Sequence, residues 1–465
     1  MTPVMPHMDH LVVEGQAQLQ GSVSPSGNKN AALPLLAACL LTDEPVTLHN
    51  IPRIRDVEAL AALMRSLGAS IEELDPHSWR VTAREIRSRE LDRDLCRQIR
   101  ASILLAGPML ARCGEIRLPP PGGDVIGRRR VDSHLLALTS LGARVTYDRI
   151  FDMRADGLHG ADILLDEASV TATENAIMAA VRAEGRTTIR NAASEPHVQD
   201  LCNFLNHLGA HIYDIGSNVL HIEGVPALHG GEYTLGADYL EVASFIVAAA
   251  VTHSGIRIRQ VQPSDLDMTR LIFRRLGIEW QVEGSDLVVP QEQRLEVLAD
   301  LGGAIPEISV MPWPAFPTDM MSIAIVAATQ SRGTVLFHDW MYPSRMFFID
   351  KLVAMGGRVI LCDPHRVIVQ GPSELAGEQL ESPDIRRAWP SSWRRWPPAA
   401  NRSFATSPRS TAATNASTRS CASSVLALNA EPRRRGAPER LPLAPKWASI
   451  STARRYAGGI PVECG

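Results

Sequence analysis

One pattern recurs five times along this chain and constrains its fold more than any other feature. Each copy runs apolar helix, glycine-containing turn, short β-like strand, polar turn and second helix, and closes on Leu-Gly-Ala or a near match. The first copy reads AALPLLAACLL, EPVTLHNIP and DVEALAALMRSLGA, closing at Ala69. The second holds ASILLAGPMLARCGEIRLPP and VDSHLLALTSLGA, closing at Ala143, and the third NAIMAAVRAEGRTTIRNAA and HVQDLCNFLNHLGA, closing at Ala210. The fourth holds LEVASFIVAAAVTHSGIRIRQVQ and LDMTRLIFRRLGI, closing at Ile278, and the fifth MMSIAIVAATQSRGTVLFHDW and RMFFIDKLVAMGG, closing at Gly357. These closings lie 67 to 79 residues apart. Solenoid repeats are shorter, about 20–45 residues, and the alternation of helix with short strand favours globular α/β packing. Closing glycines such as Gly68 and Gly142 suit the position just past a helix C-terminus, where φ is positive.

Composition narrows the function. The chain has 465 residues, enough for two or three domains, and 45% of them are hydrophobic. No apolar run reaches the roughly 18 residues of a membrane span. Met1 to Gln20 lacks the apolar block of a signal peptide, so a cytoplasmic protein is expected. Seven scattered cysteines form no CxxC pair, which fits reduced thiols packed as small hydrophobes, and no Cys/His spacing suits zinc. No dinucleotide fingerprint or P-loop is present, so neither cofactor nor metal is expected. The formal net charge of −4 hides an asymmetry: from Arg387 onward there are many arginines, one lysine, no aspartate and three glutamates.

Three long motifs stand in order. They are Pro25-Ser-Gly-Asn-Lys-Asn-Ala-Ala-Leu-Pro34, Pro119-Pro-Pro-Gly-Gly-Asp-Val-Ile-Gly-Arg-Arg-Arg-Val-Asp132 and Pro314-Ala-Phe-Pro-Thr-Asp-Met320. With the repeat, they resemble the enolpyruvyl transferase family over about residues 8 to 386. The resemblance implies a two-domain inside-out α/β barrel built from six repeated α/β units, helices inside and sheets outside, with the site in the cleft between the domains. It divides the chain into a discontinuous domain of residues 1–28 plus 238–386, a second domain of residues 29–237 carrying a mobile loop at 119–130, and a tail at 387–465.

The chemistry implied is transfer of the enolpyruvyl group of phosphoenolpyruvate to the 3-hydroxyl of UDP-N-acetylglucosamine. Both substrates are anionic, so fixed cations are needed: arginine as a planar fork for phosphate and carboxylate, lysine as a compact charge. On its own, Lys29 could equally be an exposed loop lysine. It precedes a helix expected to start near Ala31, where free N–H groups favour phosphate. By resemblance, Lys29 and Asn30 contact both substrates, Arg100 binds the nucleotide sugar, and Arg129 and Arg345 engage phosphate groups. Asp124 stands where most members carry cysteine, in the role of general acid for the phosphoenolpyruvate methylene. Composition alone would make it a turn aspartate. The resemblance makes Asp319 the base or orienting carboxylate for the sugar hydroxyl; position alone makes it a helix N-cap, and the two roles are compatible. Nucleotide contacts carry over to Arg129, Arg130, Val131, Asp132 and Ser133, to Glu167, Ala168, Ser169 and Val170, and to Met341. Arg130 replaces a usual proline and Glu167 a frequent lysine. A monomer or weak oligomer is expected, with no nucleic-acid partner. The alternatives are 3-phosphoshikimate as acceptor, or a non-catalytic nucleotide-sugar-binding protein of the same fold.

The tail breaks the pattern. A sixth Leu-Gly-Ala is due near position 425, where the chain reads Ala-Ser-Ser-Val-Leu. Four of the eight tryptophans crowd into it. Read from the third base of each codon, Ala388 to Trp393 can encode Met-Ala-Leu-Val-Leu. Ser410 to Ala416 can then encode Asp-Arg-Gly-Tyr-Glu-Arg, the family's final motif, and Ala422 to Leu426 can encode Glu-Leu-Gly-Ala. The tail therefore reads as an out-of-frame translation of a sixth unit. As written it is expected to be disordered and to leave the chain weakly active or inactive.

The Gly-Gly-Asp of the loop makes one chemical prediction. Fosfomycin, which alkylates the family's loop thiol, does not inactivate this chain, whereas Asp124→Cys creates time-dependent inactivation. Time-dependent inactivation of the unaltered chain, prevented by Asp124→Asn, contradicts it.

Overall fold

The computed structural model describes residues 18–122 and 130–378, with the short strand segments Asp9–Leu11, Phe404–Thr406 and Ala430–Glu431. The loop residues 123–129, with Asp124 and Arg129, and almost all of the chain from 379 lie outside the described residues.

Eleven helices are described: α1 (Lys29–Ala38), α2 (Arg55–Leu67), α3 (Arg93–Gln98), α4 (Ala106–Cys113), α5 (Asp132–Ser140), α6 (Val170–Ala180), α7 (Pro196–His207), α8 (Tyr239–Val251), α9 (Asp267–Arg275), α10 (Met321–Gln330) and α11 (Ile349–Ala354). They fall into five units of one topology. In each, an inner helix leads to a central strand, an outer helix and a hairpin. The central strand pairs antiparallel with the second hairpin strand. In the third unit, strand Arg186–Arg190 pairs with Val219–Glu223, which pairs with His211–Tyr213, while Asp162–Leu164 lies parallel on the other side. The fifth unit repeats this with Gly333–His338, Arg366–Gly371, Val359–Leu361 and Glu307–Ser309.

Amphipathicity decides which helices lie inside. Helix α1 is apolar almost all round and buries every residue but Asn30, as a helix surrounded by protein must. Outer helix α2 buries one stripe, Val57, Leu60, Ala61, Met64 and Leu67, and leaves its other face to solvent. It ends at Gly68, with φ +111° and a would-be Cβ 2.7 Å from the Glu85 carbonyl oxygen, so only glycine fits. Gly142 likewise has positive φ.

Two cores result, one of residues between Ala31 and Leu235 and one of residues between Tyr239 and Leu375. The chain crosses between the lobes twice. Strand Gln20–Val23 of the N-terminal segment joins the sheet of strand Gly255–Ile258 in lobe two, whereas Gly231–Thr234 joins the sheet of Val46–His49 in lobe one. The crossings run side by side: Asn28 N–H donates to Gly236 O at 2.9 Å and Asp238 N–H to Ser26 O at 2.8 Å.

Lobe one holds three units and the described part of lobe two holds two. Where one unit ends and the next begins, a backbone N–H returns to the end of the outer helix: Arg87 to Leu67 O, His159 to Leu141 O, His229 to Leu208 O and Leu298 to Arg275 O. Ala376 N–H makes the same return to Met355 O at 2.7 Å.

The Gly68 site generates a stability prediction. Gly68→Ala lowers stability by more than about 1 kcal/mol, because alanine is strained at this φ and clashes with Glu85. The urea midpoint of unfolding measures it, and an unchanged midpoint contradicts it.

Candidate active site

The first motif is shaped by close approach. A Cβ on Gly27 would sit 1.7 Å from the Asn50 carbonyl oxygen, so the Ser-Gly-Asn turn can pass only as glycine. Asn28 then caps α1, its Oδ1 accepting from Asn30 N–H at 2.8 Å and Ala31 N–H at 3.3 Å. This cap starts the helix at Lys29, two residues earlier than the sequence suggests. Lys29 is thereby buried on the first turn, and its Nζ lies 2.6 Å from the Asp56 carboxylate at the start of α2.

Asp319 faces the same region from lobe two. It lies in a 3-10 turn, Thr318–Met320, leading into α10. The N-cap alternative is corrected: Met320 occupies the cap position and no side chain caps α10. The Asp319 carboxylate instead accepts from the Arg345 guanidinium, which also lies over the Tyr342 ring at 5.3 Å. Burial pushes the Asp319 carboxyl up, but the Arg345 charge and hydrogen bond, His197 and Lys29 together hold it below the ordinary carboxylate range. The turn is fixed by Asp339, which is fully buried. Its carboxylate accepts from Thr318 Oγ1 at 2.6 Å and from the N–H groups of Met341 at 3.0 Å and Tyr342 at 3.2 Å. One buried carboxylate thus ties the turn bearing Asp319 to the backbone at Met341 and Tyr342, in the segment that leads to Arg345.

A second group of expected residues gathers at the N-termini of α5 and α6. Arg100 donates to the Arg130 carbonyl at 3.0 Å, and Arg130 Nε donates to Asp132 at 2.9 Å. Ser133 Oγ donates to Asp166 at 2.7 Å and lies 3.4 Å from Glu167. Val131 precedes α5, and Glu167, Ala168 and Ser169 form the turn into Val170, with Ser169 N–H donating to Glu167 O at 2.7 Å. Beneath them His134 is buried. Asn175 Nδ2 lies 2.9 Å from its Nδ1 and Thr171 Oγ1 lies 3.1 Å from its Nε2. Burial, then the Arg100 charge, pushes its pKa down to about 3.

The sequence reading missed Asp56, Asp339, Asp166 and His134. Asp56 carried a signal: an aspartate in the first turn of an amphipathic helix that buries its apolar stripe. Asp339 carried none, because the turn it fixes, at Thr318, lies 21 residues away.

Comparison with known proteins bears on this geometry. Residues 13–389 match the profile of the EPSP synthase (3-phosphoshikimate 1-carboxyvinyltransferase) family. The chain belongs to this enolpyruvyl transferase family. It is 57% identical over 375 residues to a protein of Bradyrhizobium diazoefficiens named UDP-N-acetylglucosamine 1-carboxyvinyltransferase, covering 81% of this chain and 87% of that one. It is 53% identical over 379 residues to the Treponema denticola protein of the same name, covering 82% and 89%. Among solved structures, the enolpyruvyl transferase NikO from Streptomyces tendae superposes with a TM-score of 0.74 at 22% identity, covering 92% of both chains. EPSP synthase from Acinetobacter baumannii gives 0.61 at 17% identity, covering 81% and 88%. The fold expected from the resemblance is therefore the fold found. Among the described residues no helix is long and apolar enough to cross a membrane.

The buried His134 sets a pH prediction. Its folded pKa lies below the unfolded value of about 6.5, so the unfolded state binds the proton more readily between pH 6.5 and about 3. The stability it contributes is full above 6.5 and is lost as pH falls. In urea unfolding between pH 6 and 4.5, His134→Gln lowers the slope of stability against pH by about 1.4 kcal/mol per unit. Parallel slopes contradict it.

Proposed function

We propose that this chain transfers the enolpyruvyl group of phosphoenolpyruvate to the 3-hydroxyl of UDP-N-acetylglucosamine, releasing phosphate, the first committed step of peptidoglycan precursor synthesis. The observation that carries the reading is the convergence of Lys29, Asp319 and Arg345, from both lobes, beside the paired crossings, in a chain more than half identical to relatives named for that reaction. The 3-hydroxyl gives up its proton to Asp319 as its oxygen bonds to C2 of phosphoenolpyruvate, while C3 takes a proton from Asp124. The phosphate then leaves by cleavage of its C–O bond and C3 gives a proton back, restoring the double bond.

Asp319, held as a carboxylate, accepts the hydrogen bond of the sugar hydroxyl and aims its oxygen at C2. Lys29 and Arg345 offset the charge of the phosphate and carboxylate groups. Lys29 is oriented by Asp56, so little of its positioning is left to the moment of binding. Arg100, Arg129, Arg130 and Ser133 hold the diphosphate, and Asp124 supplies the acid for C3. The division into residues 1–28 plus 238–386 and residues 29–237 then makes each substrate touch both halves.

We further propose that residues 387–465 are the out-of-frame remnant of a sixth unit and that the chain as written turns over weakly or not at all. The family match stops at residue 389, and the written tail after the return of Ala376 to Met355 has no pattern to complete a further unit. Sequencing the coding DNA tests this. The alternate frame spells Asp-Arg-Gly-Tyr-Glu-Arg across 410–416 without stop codons, and a chain carrying that tail releases phosphate faster than the written chain. Early stop codons, or normal turnover by the written chain, contradict it.

Two measurements address the substrate. Phosphate release by the chain with the restored tail is supported by UDP-N-acetylglucosamine and not by 3-phosphoshikimate, and the reverse preference overturns the assignment. Lys29→Ala weakens nucleotide-sugar binding by about 1.5–3 kcal/mol in calorimetry, the worth of a hydrogen bond to a charged group, without unfolding the chain. Unchanged binding removes Lys29 from the site.

A further inference from the structure

Asn175 is fully buried on α6, and its neighbours fix which way its side-chain amide points. Its Oδ1 accepts the Gly107 N–H at 2.7 Å and its Nδ2 donates to the Ile103 carbonyl at 2.9 Å. Exchanging the two atoms would set donor against donor and acceptor against acceptor. The approach is close: a Cβ on Gly107 would sit 2.5 Å from the Asn175 carbonyl oxygen. Nδ2 carries a second hydrogen, and that one meets His134 Nδ1 at 2.9 Å. This ring nitrogen must therefore accept. His134 is buried, and burial together with the Arg100 charge keeps it neutral, so its one N–H is on Nε2. Nε2 faces Thr171 Oγ1 at 3.1 Å, so the ring donates there and the threonine oxygen accepts.

The direction of donation carries on to Thr171. A hydroxyl whose oxygen is engaged by a donor keeps its own hydrogen to give. Helix threonines commonly give it to a carbonyl one turn back, as Thr139 on α5 does to Leu135 O at 2.7 Å. Thr171 is the second residue of α6, and its hydroxyl meets no acceptor among the described residues. It is half-buried, whereas His134 beneath it is closed off from solvent. Its neighbours are residues expected to hold the nucleotide: Val170 precedes it, and Ser133 precedes His134. Ser133 already gives its hydroxyl hydrogen to Asp166 at 2.7 Å and turns to a phosphate only by giving that bond up. Branching at Cβ restricts Thr171 to few χ1 positions, so its hydroxyl is held in place before a ligand arrives.

We propose that Thr171 donates its hydroxyl hydrogen to a phosphate oxygen of the nucleotide sugar, and that Asn175 and His134 are the positioning residues that make it a donor. The proposal rests on the reading of the starts of α5 and α6 as the nucleotide-sugar site. A diphosphate offers only acceptors at neutral pH. A hydroxyl with its lone pairs unengaged is indifferent to direction and must be ordered on binding, whereas one already accepting from an N–H is committed to donate. The relay runs Gly107, Asn175, His134, Thr171, and each step follows from the one before it.

Two measurements test it. The first needs no ligand: a long-range nitrogen–proton correlation spectrum of the full chain with isotope-labelled histidine, in which the His134→Gln variant identifies the His134 signals. The expected ring has a bare Nδ1 and a protonated Nε2, unchanged between pH 8 and pH 5. A protonated Nδ1 overturns the proposal. The second is calorimetry of the full chain with UDP-N-acetylglucosamine and with UDP. Thr171→Val, which keeps the side-chain shape and loses the hydroxyl, weakens both by about tenfold to a hundredfold, the range for a hydrogen bond to a charged group. Thr171→Ser keeps the hydroxyl and recovers most of the affinity. Equal binding by Thr171→Val and the unaltered chain, a loss in valine that serine does not recover, or a loss with UDP-N-acetylglucosamine that UDP does not share overturns the proposal. A chain that binds neither molecule contradicts the nucleotide-sugar reading itself, a result distinct from one in which the unaltered chain binds and Thr171→Val binds equally well.

Discussion

The buried ion pair of Lys29 and Asp56 is the contact on which the rest of the site depends. A lysine taken out of water needs a partner, and removing one member of a buried pair costs about 3–5 kcal/mol. Here the partner comes from the start of the outer helix, and the lysine from the start of the inner one. The pair therefore fixes the angle at which α1 and α2 meet at the end facing the crossings. The cap by Asn28 and the glycine at 27 place Lys29 on that first turn; without them the ammonium would lie elsewhere.

Much of this fold was legible in the sequence because the repeat imposes it. An all-apolar helix alternating with a one-sided helix has few ways to bury itself, and the Leu-Gly-Ala closings fix where each outer helix stops. The swap of the leading strands was legible only through resemblance, because nothing in Gln20–Val23 says which sheet it joins. Among the proposed site residues, Lys29, Asn30 and Asp319 stand within the motifs, and Ser133 and Arg345 were reached through the resemblance alone. The carboxylates that orient them were reached by neither. Asp56 and Asp339 reach partners distant in the sequence, and each reads locally as an ordinary helix-start or turn residue. Asp319 shows the converse error. Its place before a helix suggests a cap, but a guanidinium from lobe two outcompetes backbone N–H groups for the carboxylate.

Charge is distributed across the seam in an ordered way. Asp319 is kept ionised against Arg345 and Asp56 pairs with Lys29, whereas Glu174, deep in lobe one, is kept protonated by burial. Two anionic substrates entering such a region meet cations already held in place, so the energy of ordering them is spent in folding and not in binding.

The account stands or falls on whether Asp56 acts through Lys29. A double-mutant cycle on nucleotide-sugar affinity, measured by calorimetry for the unaltered chain, Lys29→Ala, Asp56→Asn and the double variant, asks this directly. The account predicts that Asp56→Asn weakens binding when Lys29 is present and has no further effect once Lys29 is alanine. Additive losses would show that Asp56 and Lys29 serve binding separately and would contradict it.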